Sequence, residues 1–206
     1  MVTTLDIGFL LATAVWGVVF TALALRAYAK KGAVQTLLWA LAMLALLVVG
    51  ATILLYDFAG LQLPHTSPTG MFVPGLLAAG VLAAAYRPRW GIYYGVYVLL
   101  MTLVFIAVRA TGGPYTPALL TVHVPSGLII IIVPAWMAVR GLRSLALSSV
   151  GGVLIAIGGM ALAALSGGRP ILPLEVVLVV LTPIVFFSTF LITLGFLLTG
   201  RWMGVE

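Results

Sequence analysis

Read from the first residue onward, the chain alternates between long apolar runs and short polar, proline- or glycine-rich breaks. A helix rises about 1.5 Å per residue, so about 20 apolar residues are needed to cross the hydrocarbon of a bilayer. On that criterion the runs predict spans at Ile7–Leu25, Gln35–Tyr56, Gly70–Tyr86, Trp90–Val108, Pro117–Val139, Ala146–Leu165 and Leu174–Thr199, the third being the shortest. Between spans the backbone must return to water or to protein partners. The breaks that mark those returns are Lys30-Lys31-Gly32, Pro64–Pro68, Arg87-Pro88-Arg89, Gly112-Gly113-Pro114, Gly141–Arg143 and Gly167-Gly168-Arg169-Pro170.

The expected fold is therefore all-α: a polytopic membrane protein, a bundle of about seven transmembrane helices forming a single domain over residues 1–206. The longest connection, residues 57–69, is apolar at Leu61 and Leu63, is restrained by Pro64 and Pro68, and is expected to pack back onto the mouth of the bundle. Prolines inside spans remove a helical hydrogen bond and kink the axis. Pro125 and Pro134 do so in the fifth span and Pro183 in the seventh. In the sixth, Gly151, Gly152, Gly158 and Gly159 recur after seven residues, a pattern that admits another backbone or a flat ligand.

Composition agrees, since 64% of residues are hydrophobic and 7% charged, against about a quarter charged in soluble domains. The first charge is Asp6, so residues 7–25 read as a span and not as a cleaved signal peptide with its basic leader. Basic residues orient the bundle. With the N-terminus outside and the C-terminus cytoplasmic, Arg26, Lys30, Lys31, Arg87, Arg89, Arg140, Arg143 and Arg201 fall inside, and only Arg109 and Arg169 outside. That asymmetry satisfies the positive-inside rule and places the protein in the cell membrane as a multi-pass protein. The net charge of +6 is scattered over loop ends, which argues against a nucleic-acid partner. Cysteine is absent, excluding disulfides and thiolate metal sites. Richness in Ala, Leu, Val and Gly with few Asn and Gln suits a thermophile.

Candidate chemistry gathers at the outer side, where both histidines fall. An imidazole within a membrane is costly unless satisfied, and neutral imidazole is the commonest nitrogen ligand of iron, copper and zinc. His123, about two turns into the fifth span, is the principal candidate ligand of a haem or metal, and His65 in the long loop the second. Gly127, one turn after His123, would let a macrocycle lie against the helix; Arg109 and Arg169 could pair with its propionates, with Tyr115 and Tyr56 adding hydrogen bonds. The bland alternative has His123 merely bonded to a carbonyl or to nearby Thr121. Glu175 suits a helix N-terminus without further function, although it could join the histidines at a metal or accept a proton from a quinol. Trp90, Tyr93, Tyr94 and Tyr97 read as an interfacial aromatic belt.

A partial echo between His65–Gly70 and His123–Gly127 reads as chance resemblance. No charged residue lies near the middle of a span, as proton pumps, ion-coupled transporters and voltage sensors require. The last span has no lysine for a retinal Schiff base, and no hydrolase or phosphate-loop motif occurs. The leading expectation is a b-type haem-binding protein in electron transfer near the outer face, exchanging electrons with a quinone or a redox partner protein and not necessarily an enzyme itself. The competing expectations are a transporter or channel for a neutral or lipid-like solute, lined by Ser126, Thr182, Ser188 and Thr189, and a scaffold subunit or homo-oligomer in which these residues only pack.

Overall fold

The computed structural model describes residues 2–166, 173–200 and 202–203. They form helices α1 (Thr4–Lys31), α2 (Val34–Tyr56), α3 (Thr66–Ala85), α4 (Pro88–Ala110), α5 (Thr116–Val139), α6 (Leu145–Ser166) and α7 (Leu174–Leu198), with a 3₁₀ segment at Asp57–Gln62 and no strand among the described residues. All but α6 include a stretch long and apolar enough to cross a membrane, and α6 is apolar over Leu145–Met160. The chain is a helical, multi-pass membrane protein, and its helices coincide with the apolar runs to within a few residues.

Local chemistry sets the ends. Thr3 and Asp6 form a capping box that opens α1, each satisfying a backbone N–H of the other. Gly32 closes the helix in the left-handed region (φ 63°), donating to the Tyr28 carbonyl at 2.7 Å. Pro88 starts α4 in the first turn, where its missing N–H costs nothing. The segment after α2 does fold back. Gly60 is buried, its carbonyl accepts from Thr66 Oγ1 at 2.7 Å, and a Cβ at Gly60 would lie 2.6 Å from the Thr52 carbonyl oxygen.

The shortest predicted span, α3, is the most deeply packed of the spanning stretches. It packs against α2, α4 and α5, and its row of Gly75, Ala78, Ala79, Gly80 and Ala83 explains how three neighbours come so close. A Cβ at Gly75 would meet Val98 of α4, and one at Gly80 would collide with the indole of Trp39 from α2. Trp39 is wholly buried, donates from Nε1 to the Leu77 carbonyl at 3.2 Å, and stacks on Phe196 of α7 with ring centroids 4.3 Å apart. Trp202 extends that stack. One indole thus joins α2, α3 and α7.

The first and last helices meet as well. Asp6 is buried between α1 and α7, accepting from Thr3 N at 2.9 Å, Thr3 Oγ1 at 2.6 Å and Thr182 Oγ1 at 2.6 Å. Deeper along the same seam, Trp16 Nε1 donates to Thr193 Oγ1 at 2.7 Å.

Because Trp39 leaves no room at Gly80, Gly80→Ala should destabilise the bundle by about 1–3 kcal/mol, the usual cost of overpacking. Gly50, where an added Cβ meets nothing within 4 Å, is the internal control. Gly50→Ala should be neutral or stabilising, by up to about 1 kcal/mol of helix propensity. Thermal unfolding of both variants in detergent checks the contrast.

Candidate functional site

His123 lies seven residues into α5, half-buried, with Nδ1 3.1 Å from the carbonyl oxygen of Leu119 one turn before it. A carbonyl can only accept, so that contact requires the Nδ1–H tautomer and leaves the Nε2 lone pair as the basic nitrogen. A backbone bond on one ring nitrogen is also the usual way a ligating histidine is oriented. The bond therefore fixes the orientation of the imidazole.

The backbone beside His123 is shaped by Pro125. That residue brings no N–H to the Thr121 carbonyl four residues earlier, which would otherwise face hydrocarbon unpaired. Tyr97 of α4 replaces the missing donor: its hydroxyl lies 2.6 Å from Thr121 O. One turn away, Tyr94 Oη is 2.9 Å from Ser126 Oγ. In the turn preceding Pro134, Ser149 of α6 donates to Ile131 O at 2.9 Å. The aromatic row of α4 is thus divided. Trp90 and Tyr93 are exposed and edge-on to each other, as an interfacial belt would be, while Tyr94 and Tyr97 brace the proline-broken helix. The local signal for this was a hydroxyl-bearing aromatic pair opposite an intramembrane proline.

Helical phase gives the side on which His123 stands. Val122, Ser126, Ile130 and Pro134 are the buried residues of α5, and Gly152 of α6 packs against Ile130 and Ile131. At about 100° per residue, His123 and Gly127 fall in azimuth between Ile130 and Ile131, on the flank turned toward α6. His123 precedes Ile130 by seven residues and Gly159 follows Gly152 by seven, so both lie about 10 Å along the seam from that contact. A Cβ at Gly127 or at Gly159 would meet nothing within 4 Å among the described residues. The four glycines of α6 therefore do not share one task. Gly151 and Gly158 admit α7, Gly152 admits α5, and Gly159 borders open space level with His123.

The remaining candidates among the described residues stand elsewhere on the same end of the bundle. His65 is the exposed residue preceding α3, and its side chain makes no capping bond. Thus the two histidine motifs occupy different places in their helices, one before the first turn and one two turns in. Arg109, in the last turn of α4, donates from Nη2 to the Gln62 carbonyl at 2.9 Å and lies 5.7 Å from the ring of Tyr115. It lines a cavity of about 280 Å³ with Pro64, Pro68, Ile106 and Ala110. Arg109 and Tyr115 are thus brought together on the α3–α4 side, and His123 with Gly127 on the α6 side. Tyr56 is exposed at the end of α2. Arg169 and the side chain of Glu175 lie outside the described residues. Among the described residues, no three His, Asp or Glu side chains gather as a metal cluster.

Three of the four hydroxyls considered as a solute path are engaged in hydrogen bonds within the bundle. Ser126 bonds Tyr94, Thr182 bonds Asp6, and Ser188 bonds its own helix at Val185 O (3.1 Å). Thr189 is buried, and its carbonyl accepts from Thr193 Oγ1 at 2.7 Å. A second cavity, about 350 Å³, sits at the opposite end between the α5–α6 turn and Leu198–Gly200. Compared with known proteins, the chain matches no family model, no curated protein and no solved structure.

If Tyr97 substitutes for the donor that Pro125 lacks, Tyr97→Phe should cost about 1 kcal/mol. In a Pro125→Ala background, where residue 125 supplies its own N–H, that cost should vanish. A double-mutant cycle on unfolding free energy in detergent measures the coupling, and additive effects would show that the two residues act independently.

Proposed function

We propose that this chain is a multi-pass protein of the cell membrane, N-terminus outside and C-terminus cytoplasmic, that holds a b-type haem on His123 and works in electron transfer. The observation that carries this reading is the bond between His123 Nδ1 and Leu119 O, which directs basicity to Nε2, the nitrogen a metal would use. The open flanks of Gly127 and Gly159 beside it favour a flat group over a compact ion. A haem would supply one-electron chemistry at this depth, and the protein's part is to orient the imidazole, exclude water and set the polarity of the pocket.

In this reading His123 is the principal ligand. His65 could supply a second ligand to such a group if the exposed loop end turned inward. Arg109 and Tyr115 face the α3–α4 side and are not required, while Arg169 remains the candidate partner for a propionate. The electron partner is a quinone in the bilayer or a protein docked outside.

An absorption spectrum of the purified protein, before and after dithionite, tests the proposal. The expected result is a Soret band that shifts on reduction, is lost in His123→Ala and survives in Gly159→Ala with an altered position. A colourless preparation containing no metal by elemental analysis sinks the reading.

A further inference from the structure

Arg109 carries a charge that no carboxylate among the described residues is seen to pair. Guanidinium stays protonated at any accessible pH and offers five N–H donors. Here one terminal nitrogen donates to Gln62 O and the plane approaches Tyr115, but Nη1 is shielded from solvent and meets no acceptor among the described residues. A buried charged donor without a partner is costly. The adjoining cavity supplies no carboxylate, since apart from Arg109 it is walled by two proline rings, Ile106 and Ala110.

That combination has a definite chemical complement. A single cationic group at the rim of an apolar cavity matches an oxyanion attached to hydrocarbon, whereas a small hydrated anion would leave the proline and isoleucine walls wet. The position fits too. Arg109 lies in the last turn of a spanning helix, the depth at which phospholipid phosphates lie. Below it, α4 exposes Ile106, Leu103 and Leu99 in a row at helical spacing, so an acyl chain leaving the cavity would run along an apolar helix face.

We infer that the cavity between the start of α3 and the end of α4 is a binding site for one anionic phospholipid, its phosphate on Arg109 and a chain along Ile106, Leu103 and Leu99. The cavity gives the guanidinium room to turn Nη1 toward the phosphate. This site is independent of His123 and of any haem.

The test is lipid retention by the full-length protein in mild detergent, read by native mass spectrometry after delipidation and titration. Three probes separate the sources of affinity: phosphatidylglycerol, diacylglycerol with the same chains, and inorganic phosphate. Wild type should retain one phosphatidylglycerol in preference to diacylglycerol, and inorganic phosphate should neither bind nor compete at equal concentration. Arg109→Gln should weaken phosphatidylglycerol about tenfold or more through loss of the charge-assisted bonds. Ala110→Phe, which fills the cavity and keeps the cation, should do the same. Equal retention of the charged and neutral lipids by wild type overturns the inference even if a variant fails to fold. Competition by inorganic phosphate, or undiminished binding in both folded variants, overturns it as well.

Discussion

A polar group inside this bundle has no water to turn to, and that constraint organises most of the structure. Every proline within a helix withdraws one donor from the backbone, and α3, α5 and α7 each contain at least one. At α5 the deficit left by Pro125 is answered from α4, by Tyr97 at the Thr121 carbonyl, and Ser149 of α6 adds a bond to the Ile131 carbonyl in the turn before Pro134. Elsewhere Trp39 donates to Leu77 O and Ser148 to Ile192 O. These bonds fix helix positions as well as satisfy atoms, because a hydroxyl that reaches a foreign carbonyl sets both distance and register.

Once those commitments are counted, little polar capacity is left, and what is left is informative. Two buried side-chain atoms among the described residues have no hydrogen-bond partner, Thr21 Oγ1 and Arg109 Nη1. On His123, Nδ1 is engaged by the Leu119 carbonyl and Nε2 carries the lone pair. A threonine hydroxyl left over in a helix is a minor matter. A guanidinium and an imidazole are not, which is why the functional readings settle on them and leave aside the many serines and threonines already engaged in packing.

The seven helices and their approximate limits were legible because apolar length is a one-dimensional property of the chain, although among the described residues six of them, and not α6, are long and apolar enough to span. The fold-back of residues 57–69 was legible for a similar reason: Leu61 and Leu63, followed by the stiff Pro64–Pro68 stretch, are too apolar for a free tether. Depth was not legible. α3 looked weakest by length, yet its glycines and alanines place it at the centre, and only the three-dimensional approach of Trp39 and Val98 reveals why those residues are small. The aromatic row of α4 was read as one belt because spacing alone does not say which rings turn inward. Asp6 read only as the first charge ahead of the first span, and its burial beside Thr182, at the far end of the chain, required the structure. For the candidate site, His123 and Gly127 could be placed on one helix from spacing, whereas the tautomer fixed by Leu119 and the separation of Arg109 from the α5–α6 seam required coordinates.

The bond between Asp6 and Thr182 spans 176 positions in the chain, and this bears on how the protein is made. Ribosomes deliver α1 first and α7 last, so during insertion the carboxylate has only its own capping threonine for company. Until the final helix arrives, α1 has reason to keep its acidic end at the headgroup level. The Asp6–Thr182 bond can therefore form only once α7 is in place, and it ties the last helix made to the first.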